Sequence, residues 1–163
     1  MTSAVVKEYF PFMLLRPHQF LVFLPALILA PVSVHAESII DGPVIAEILR
    51  VIDGDTMLVT ARPWPQQSIE VYVRLRGIDT PELRSSCTAG RDAAAAAKQR
   101  LESLAAASPR VKLTRIAADK YFGRIIADVV MADGRDPARD MLEAGLAAGY
   151  SGSGRKHDLC RDG

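Results

Sequence analysis

The sequence predicts a mainly β chain with helices, an α+β fold built as a small β-barrel. Three observations carry this. Five short stretches show the alternating or β-branched pattern of strands. An alanine-rich stretch between the third and fourth has helical period instead. A second helix start, Asp136-Pro137, follows the fifth, near the C-terminus.

The chain has 163 residues, enough for one domain. Its first 36 residues stand apart. Phe20 to Ala30 is apolar behind Arg16, and Val34-His35-Ala36 places small residues where a signal peptidase cuts. Residues 1–36 therefore read as a secretory signal, with Met13 as a possible second start and Glu37 as the mature N-terminus. The alternative, an uncleaved anchor, suits the run less well, because Pro25 and Pro31 interrupt it and it is short for a span.

Glu37 to Pro43 is a polar lead-in. Val44 to Ile52 is rich in β-branched residues and reads as the first strand, and Asp55 to Ala61 as the second, with Asp53-Gly54 as the hairpin turn between them. Arg62 to Gln67 is a loop. Its Trp64, between Pro63 and Pro65, has two readings: packing on its own barrel, which is favoured, or stacking on a base. Ser68 to Gly77 is the third strand; Val71, Val73 and Leu75 alternate with Tyr72, Arg74 and Arg76. The three form an antiparallel meander.

Thr88 to Ala107 changes to helical period, with Ala94, Ala97, Leu101 and Leu104 on one face. Arg110 to Ile116 alternates as a fourth strand, and Gly123 to Met131 is an apolar fifth around Asp128. Asp136 caps a second helix, Pro137 to Ala144, with Gly145 at its end. Residues 151–163 read as a tail and residues 37–150 as the folded domain.

Without the leader, 18 basic and 18 acidic residues remain. A formally neutral domain is not one that coats nucleic acid through broad positive charge. Any such function needs local charge, for which Arg74, Arg76, Arg84, Lys120 and Arg124 are available. Cys87 and Cys160 either pair, as an oxidising compartment allows, or remain free thiols. His157 lies near Cys160, but no third and fourth ligand completes a zinc site.

Chemistry concentrates where the third strand ends. Asp79-Thr80-Pro81-Glu82 places two carboxylates about a proline that holds Thr80 extended, so that the Thr80 carbonyl can face outward. Oxygen ligands of this kind suit a hard cation, and the upstream Arg74 suits a phosphate.

Ile52-Asp53-Gly54-Asp55-Thr56, Arg74 to Glu82, and Asp119-Lys120-Tyr121 with Gly123-Arg124 together resemble the staphylococcal-nuclease (thermonuclease-like) family, as does Leu142 to Ala147 more weakly. The resemblance runs from about Val44 to Tyr150. Phe122 is an extra residue in it, and the third, C-terminal helix of the prototype has no counterpart after Tyr150. The resemblance implies a five-stranded OB-fold barrel with one helix after strand three and a second near the C-terminus. It implies a calcium ion on Asp55, Asp79 and the Thr80 carbonyl, Glu82 as general base, and Arg74 and Arg124 on the phosphate. The function it implies is calcium-dependent hydrolysis of DNA or RNA with low sequence specificity. The expected protein is exported to the periplasm or medium, monomeric, and without stable membrane association once its signal is cleaved. The alternative is a non-catalytic OB module that binds nucleic acid or another partner.

Overall fold

The computed structural model describes residues 38–153 and 159–160. Residues 1–36, read from the sequence as a secretory signal, and His157 lie outside them. In chain order the elements are β1 (Val44–Val51), β2 (Thr56–Arg62), β3 (Ile69–Leu75), β4 (Ile78–Asp79) and α1 (Thr88–Ala107). Then follow β5 (Arg110–Ala118), β6 (Arg124–Met131), α2 (Pro137–Glu143) and β7 (Ala148–Gly149).

The first three strands form the expected antiparallel meander. β5 and β6 form a hairpin, β5 pairs antiparallel with β1, and β6 pairs parallel with β3. The result is a closed five-stranded barrel in the order β1-β2-β3-β6-β5, the OB architecture, with α1 between its third and fourth strands. Two bulges help it close. One lies between Ile48 and Arg50 and the other between Thr114 and Ala117. The second interrupts the alternation of the fourth strand at Arg115. This residue takes φ 47° and turns outward to pair with Asp128, while Ile116 and Ala117 enter the core.

Inward residues alternate along each strand. Met57 and Val59, Val73 and Leu75, Val111 and Leu113, and Ala127, Val129 and Met131 are all buried. Helix α1 adds Ala94, Ala97, Leu101 and Leu104, the face its periodicity predicts. Fully burying a side chain the size of Leu101 or Leu104 contributes about 1.5–3 kcal/mol before its ordering cost. The helix starts at Cys87, whose sulfur accepts from the Gly90 N–H at 3.4 Å. It ends at Ser108 before Pro109, and the Ser108 hydroxyl accepts from the Ala132 N–H. Asp136 caps α2 through bonds from the Ala138 and Arg139 N–H groups.

The two-residue strands β4 and β7, which pair antiparallel, are not predicted from the sequence. Two residues are too short to show a period. The pair matters because it fixes Asp79 against Ala148, and the Tyr150 N–H adds a bond to the Gly77 carbonyl. Cys87 and Cys160 form a disulfide, so the C-terminal tail returns to the start of α1.

Candidate active site

The β1–β2 hairpin delivers Asp55. Ile52 and Asp53 both donate to the Thr56 carbonyl, and the Asp55 N–H bonds to the Asp53 carboxylate. The Asp53-Gly54 pair suggests a tight two-residue turn that needs positive φ. The loop is longer than that, and Gly54 is not among the glycines with positive φ. It is required for close approach. A Cβ there would stand 2.7 Å from the Ala97 methyl of α1 and 2.8 Å from the Thr80 hydroxyl. The Ala97 methyl is fixed to a helix backbone and cannot swing aside. Gly54→Ala is expected to destabilise by roughly 1–3 kcal/mol through overpacking. Denaturant unfolding should show a lower midpoint at unchanged m-value.

Arg74 of β3 joins the two acids the sequence separates. Its Nη1 donates to Asp55 at 2.8 Å, and its Nη2 donates to Asp79 at 2.6 Å and to the Ile78 carbonyl at 3.3 Å. Asp55 also accepts from the Thr56 hydroxyl and, at 3.2 Å, from the Thr80 N–H. Asp55, Asp79 and Thr80 are all buried. Asp53, Asp55 and Asp79 set three formal negative charges against one guanidinium. Burial pushes the Asp55 carboxyl up to about 6, and Asp53 adds to the rise. Arg74 and the bonds from Thr56 and Thr80 oppose it. Burial also works against the Arg74 charge, but Asp55 and Asp79 outweigh it and hold the guanidinium above its ordinary value.

Arg124 lies on the neighbouring strand. The parallel register sets it beside Tyr72 and sets Ile126 beside Arg74. Arg124 is therefore one pleat repeat along and one strand across from Arg74, about 8 Å away on the same outer face. Its Nε donates to Asp119 at 2.5 Å, and its guanidinium lies 4.6 Å from the centre of the Tyr121 ring. Its terminal nitrogens make no hydrogen bond among the described residues. Asp119 and Tyr121 thus orient the fork and leave its tip available. Phe122 is accommodated in the turn that precedes Arg124. The Arg124 N–H bonds to the Tyr121 carbonyl, Gly123 takes φ 78°, and Phe122 projects fully into solvent. From Arg124 onward β6 runs in unbroken parallel register with β3.

Glu82 lies three residues beyond Asp79. It is exposed, and its carbonyl accepts from the Ser85 N–H. Beside Arg74 a cavity of about 290 Å³ is lined by Arg76, Gly77, Ile126 and Tyr150. Arg76 also reaches the Ile126 carbonyl and pairs with Asp128. The expected site residues Asp55, Arg74, Asp79 and Thr80 are thus brought together, with Arg124 adjoining. Asp53, Thr56 and Asp119 support them and are not singled out by the sequence. Their signal was position within the same motifs.

Among the described residues, no three Asp, Glu, His or Cys side chains gather as a metal cluster. The donors on hand are two carboxylates and backbone oxygen, a set that fits a hard cation completed by water and substrate. The excess of buried negative charge around Asp55 is also what a bound divalent cation would offset.

No curated protein matches the chain. The family model described as staphylococcal nuclease homologue does match it, over residues 72–160. That span contains Arg74, Asp79, Thr80, Glu82 and Arg124 and ends on Cys160. With more than half of its residues matched and its strands closed as an OB barrel, the chain belongs to the staphylococcal nuclease homologue family.

Proposed function

We propose that the protein is an exported, calcium-dependent nuclease that hydrolyses phosphodiester bonds in DNA, RNA or both with little sequence specificity. The observation that carries the reading is the convergence of Asp55 and Asp79 on Arg74, deep in the rim of the barrel. Asp55, Asp79 and the Thr80 carbonyl would hold calcium. When bound, the ion supplies charge neutralisation and orients a phosphate oxygen. Arg124, held by Asp119, donates its terminal nitrogens to the phosphate as negative charge builds in the transition state. Glu82 receives the proton of the attacking water. Tyr150 and the cavity beside Arg74 offer a place for the nucleotide. Contacts of this kind reach phosphate rather than base edges and therefore carry no sequence information. The apolar leader and the Cys87–Cys160 bond support export to an oxidising compartment.

The second reading, a non-catalytic binding module, draws on one observation. Both terminal nitrogens of Arg74 are already bonded within the protein. Incubating the domain from Glu37 with DNA and with RNA, with calcium or with chelator, decides between the two. Cleavage should require calcium. Arg124→Lys keeps the charge but loses the planar fork, and is expected to lower kcat about 10²–10³-fold with a smaller change in substrate binding. Cleavage that ignores chelator would remove the metal from the reading. Binding without cleavage of either nucleic acid would favour the module.

A further inference from the structure

The sequence favours packing of Trp64 on its own barrel, but the structure leaves the residue 60% exposed. The ring sits at the tip of the β2–β3 hairpin between Pro63 and Pro65, which restrict the backbone on both sides. The loop is closed by a bond from the Gln67 N–H to the Trp64 carbonyl, and Gln66 holds φ 66°. An aromatic residue on a backbone restricted in this way has little backbone freedom left to lose on binding. Between this loop and Ile45 lies a groove of about 760 Å³.

Basic residues outnumber acidic ones beside the groove, with Arg62, Arg110 and Lys112 set against Glu47 and Glu70. Arg62 opens the loop, and Ile45 of β1 pairs with Arg62 on one side and Lys112 on the other. Arg110 follows opposite Glu47. None of Arg62, Arg110 and Lys112 makes an ion pair among the described residues. Arg74, Arg76 and Arg124 near the candidate active site, by contrast, are each matched by a carboxylate.

The hairpin wall connects the two places. Along the outward face of β3, Arg74 is followed by Tyr72, opposite Leu58, and by Glu70, opposite Thr60. Tyr72 is 38% exposed and stands beside Arg124. Six residues of extended chain from Arg74 back to Ser68 span about 20 Å. That length matches the four or more nucleotides an OB barrel commonly accommodates.

We propose that a single strand of nucleic acid leaving the phosphate site runs along this wall, stacks a base on Trp64 and sets a backbone phosphate on Arg62. The inference rests on the nuclease reading for its starting point and adds a remote subsite that grips long substrates.

Trp64 is the single tryptophan of the chain, so its fluorescence reports the subsite directly. A thymidine 12-mer, titrated in chelator so that nothing is cleaved, should quench it saturably, whereas thymidine monophosphate should not. Trp64→Ala should weaken 12-mer binding roughly 5- to 150-fold, the range of base stacking on an aromatic ring. It should raise KM for the 12-mer at constant kcat and leave hydrolysis of a dinucleotide unchanged. Trp64→Phe should restore part of the loss, and Arg62→Gln should lower the salt dependence by about one ion. Calcium-dependent cleavage of the 12-mer with no quenching and no effect of Trp64→Ala would overturn the subsite and leave the nuclease reading intact. Quenching without cleavage would do the reverse. Equal quenching by a blunt duplex, whose bases already stack on each other, would overturn stacking.

Discussion

Arg74→Met is expected to destabilise the protein in chelator by about 3–5 kcal/mol, because it strands two buried carboxylates without their shared cation. The loss depends on pH with a definite sign. Burial already raises the Asp55 carboxyl from 3.8 to about 6, and Arg74 opposes that rise. A carboxyl whose folded value is raised favours the fold when protonated. That contribution is complete below the unfolded value and is lost as pH climbs through the folded one. Removing Arg74 raises the folded value further. The variant should therefore lie closest to wild type in stability near pH 4 and fall furthest behind above pH 7. Calcium should recover much of the loss, since a divalent cation beside Asp55 and Asp79 offsets the same charge. Calcium affinity should rise, because a repelling guanidinium has gone, while kcat should fall at least 10²-fold with the loss of a positioned donor. Urea unfolding at two pH values, calorimetry with calcium and steady-state kinetics test the three parts separately. Weaker calcium binding by Arg74→Met under conditions where circular dichroism shows it folded would mean that Asp55 and Asp79 are not ligands.

Loss of the Cys87–Cys160 bond has the second large effect. The cysteines are 73 residues apart, and the chain-entropy relation gives about 4 kcal/mol for a loop of that length. For a domain of this size that corresponds to a fall in Tm of roughly 15 °C. The bond does more than close a loop. Cys160 Sγ lies 3.0 Å from the Ser85 hydroxyl and 3.2 Å from the Cys87 N–H, and the Cys87 sulfur caps α1. Cys87→Ser should therefore lose less than Cys160→Ser, because a serine hydroxyl caps the helix better than the sulfur does. Both single variants should unfold well below wild type. Free-thiol labelling of the unreduced, unfolded protein should be near zero. Two labelled thiols, or a Tm unaffected by reductant, would contradict the structure at this point.

Much of the fold was open to reading because its signals are local. Period two marks the inward residues of β3, where one pleat in two must be apolar. The buried face of α1 follows from its spacing, and both helix starts from their flanking residues. The motif residues around Asp55, Arg74, Asp79 and Arg124 were equally visible, since each stretch carries its own chemistry. By itself, then, the sequence determined the number of barrel strands, the two helices and the family, and it nominated the candidate site residues.

The tertiary structure decided what depends on partners remote in the chain. Gly54 resembles a turn glycine, but what it needs is room against Ala97 and Thr80, and no local pattern encodes that distance. β4 and β7 are strands only because each supplies the other's hydrogen bonds. Trp64 remained ambiguous because an indole has both an apolar body and a polar edge; only the path of the hairpin left it in solvent. Arg74 and Arg124 read alike as phosphate ligands. Closure of the barrel set one between two buried acids and turned the other outward on Asp119, because charge in a low-dielectric rim must be paired where it is buried.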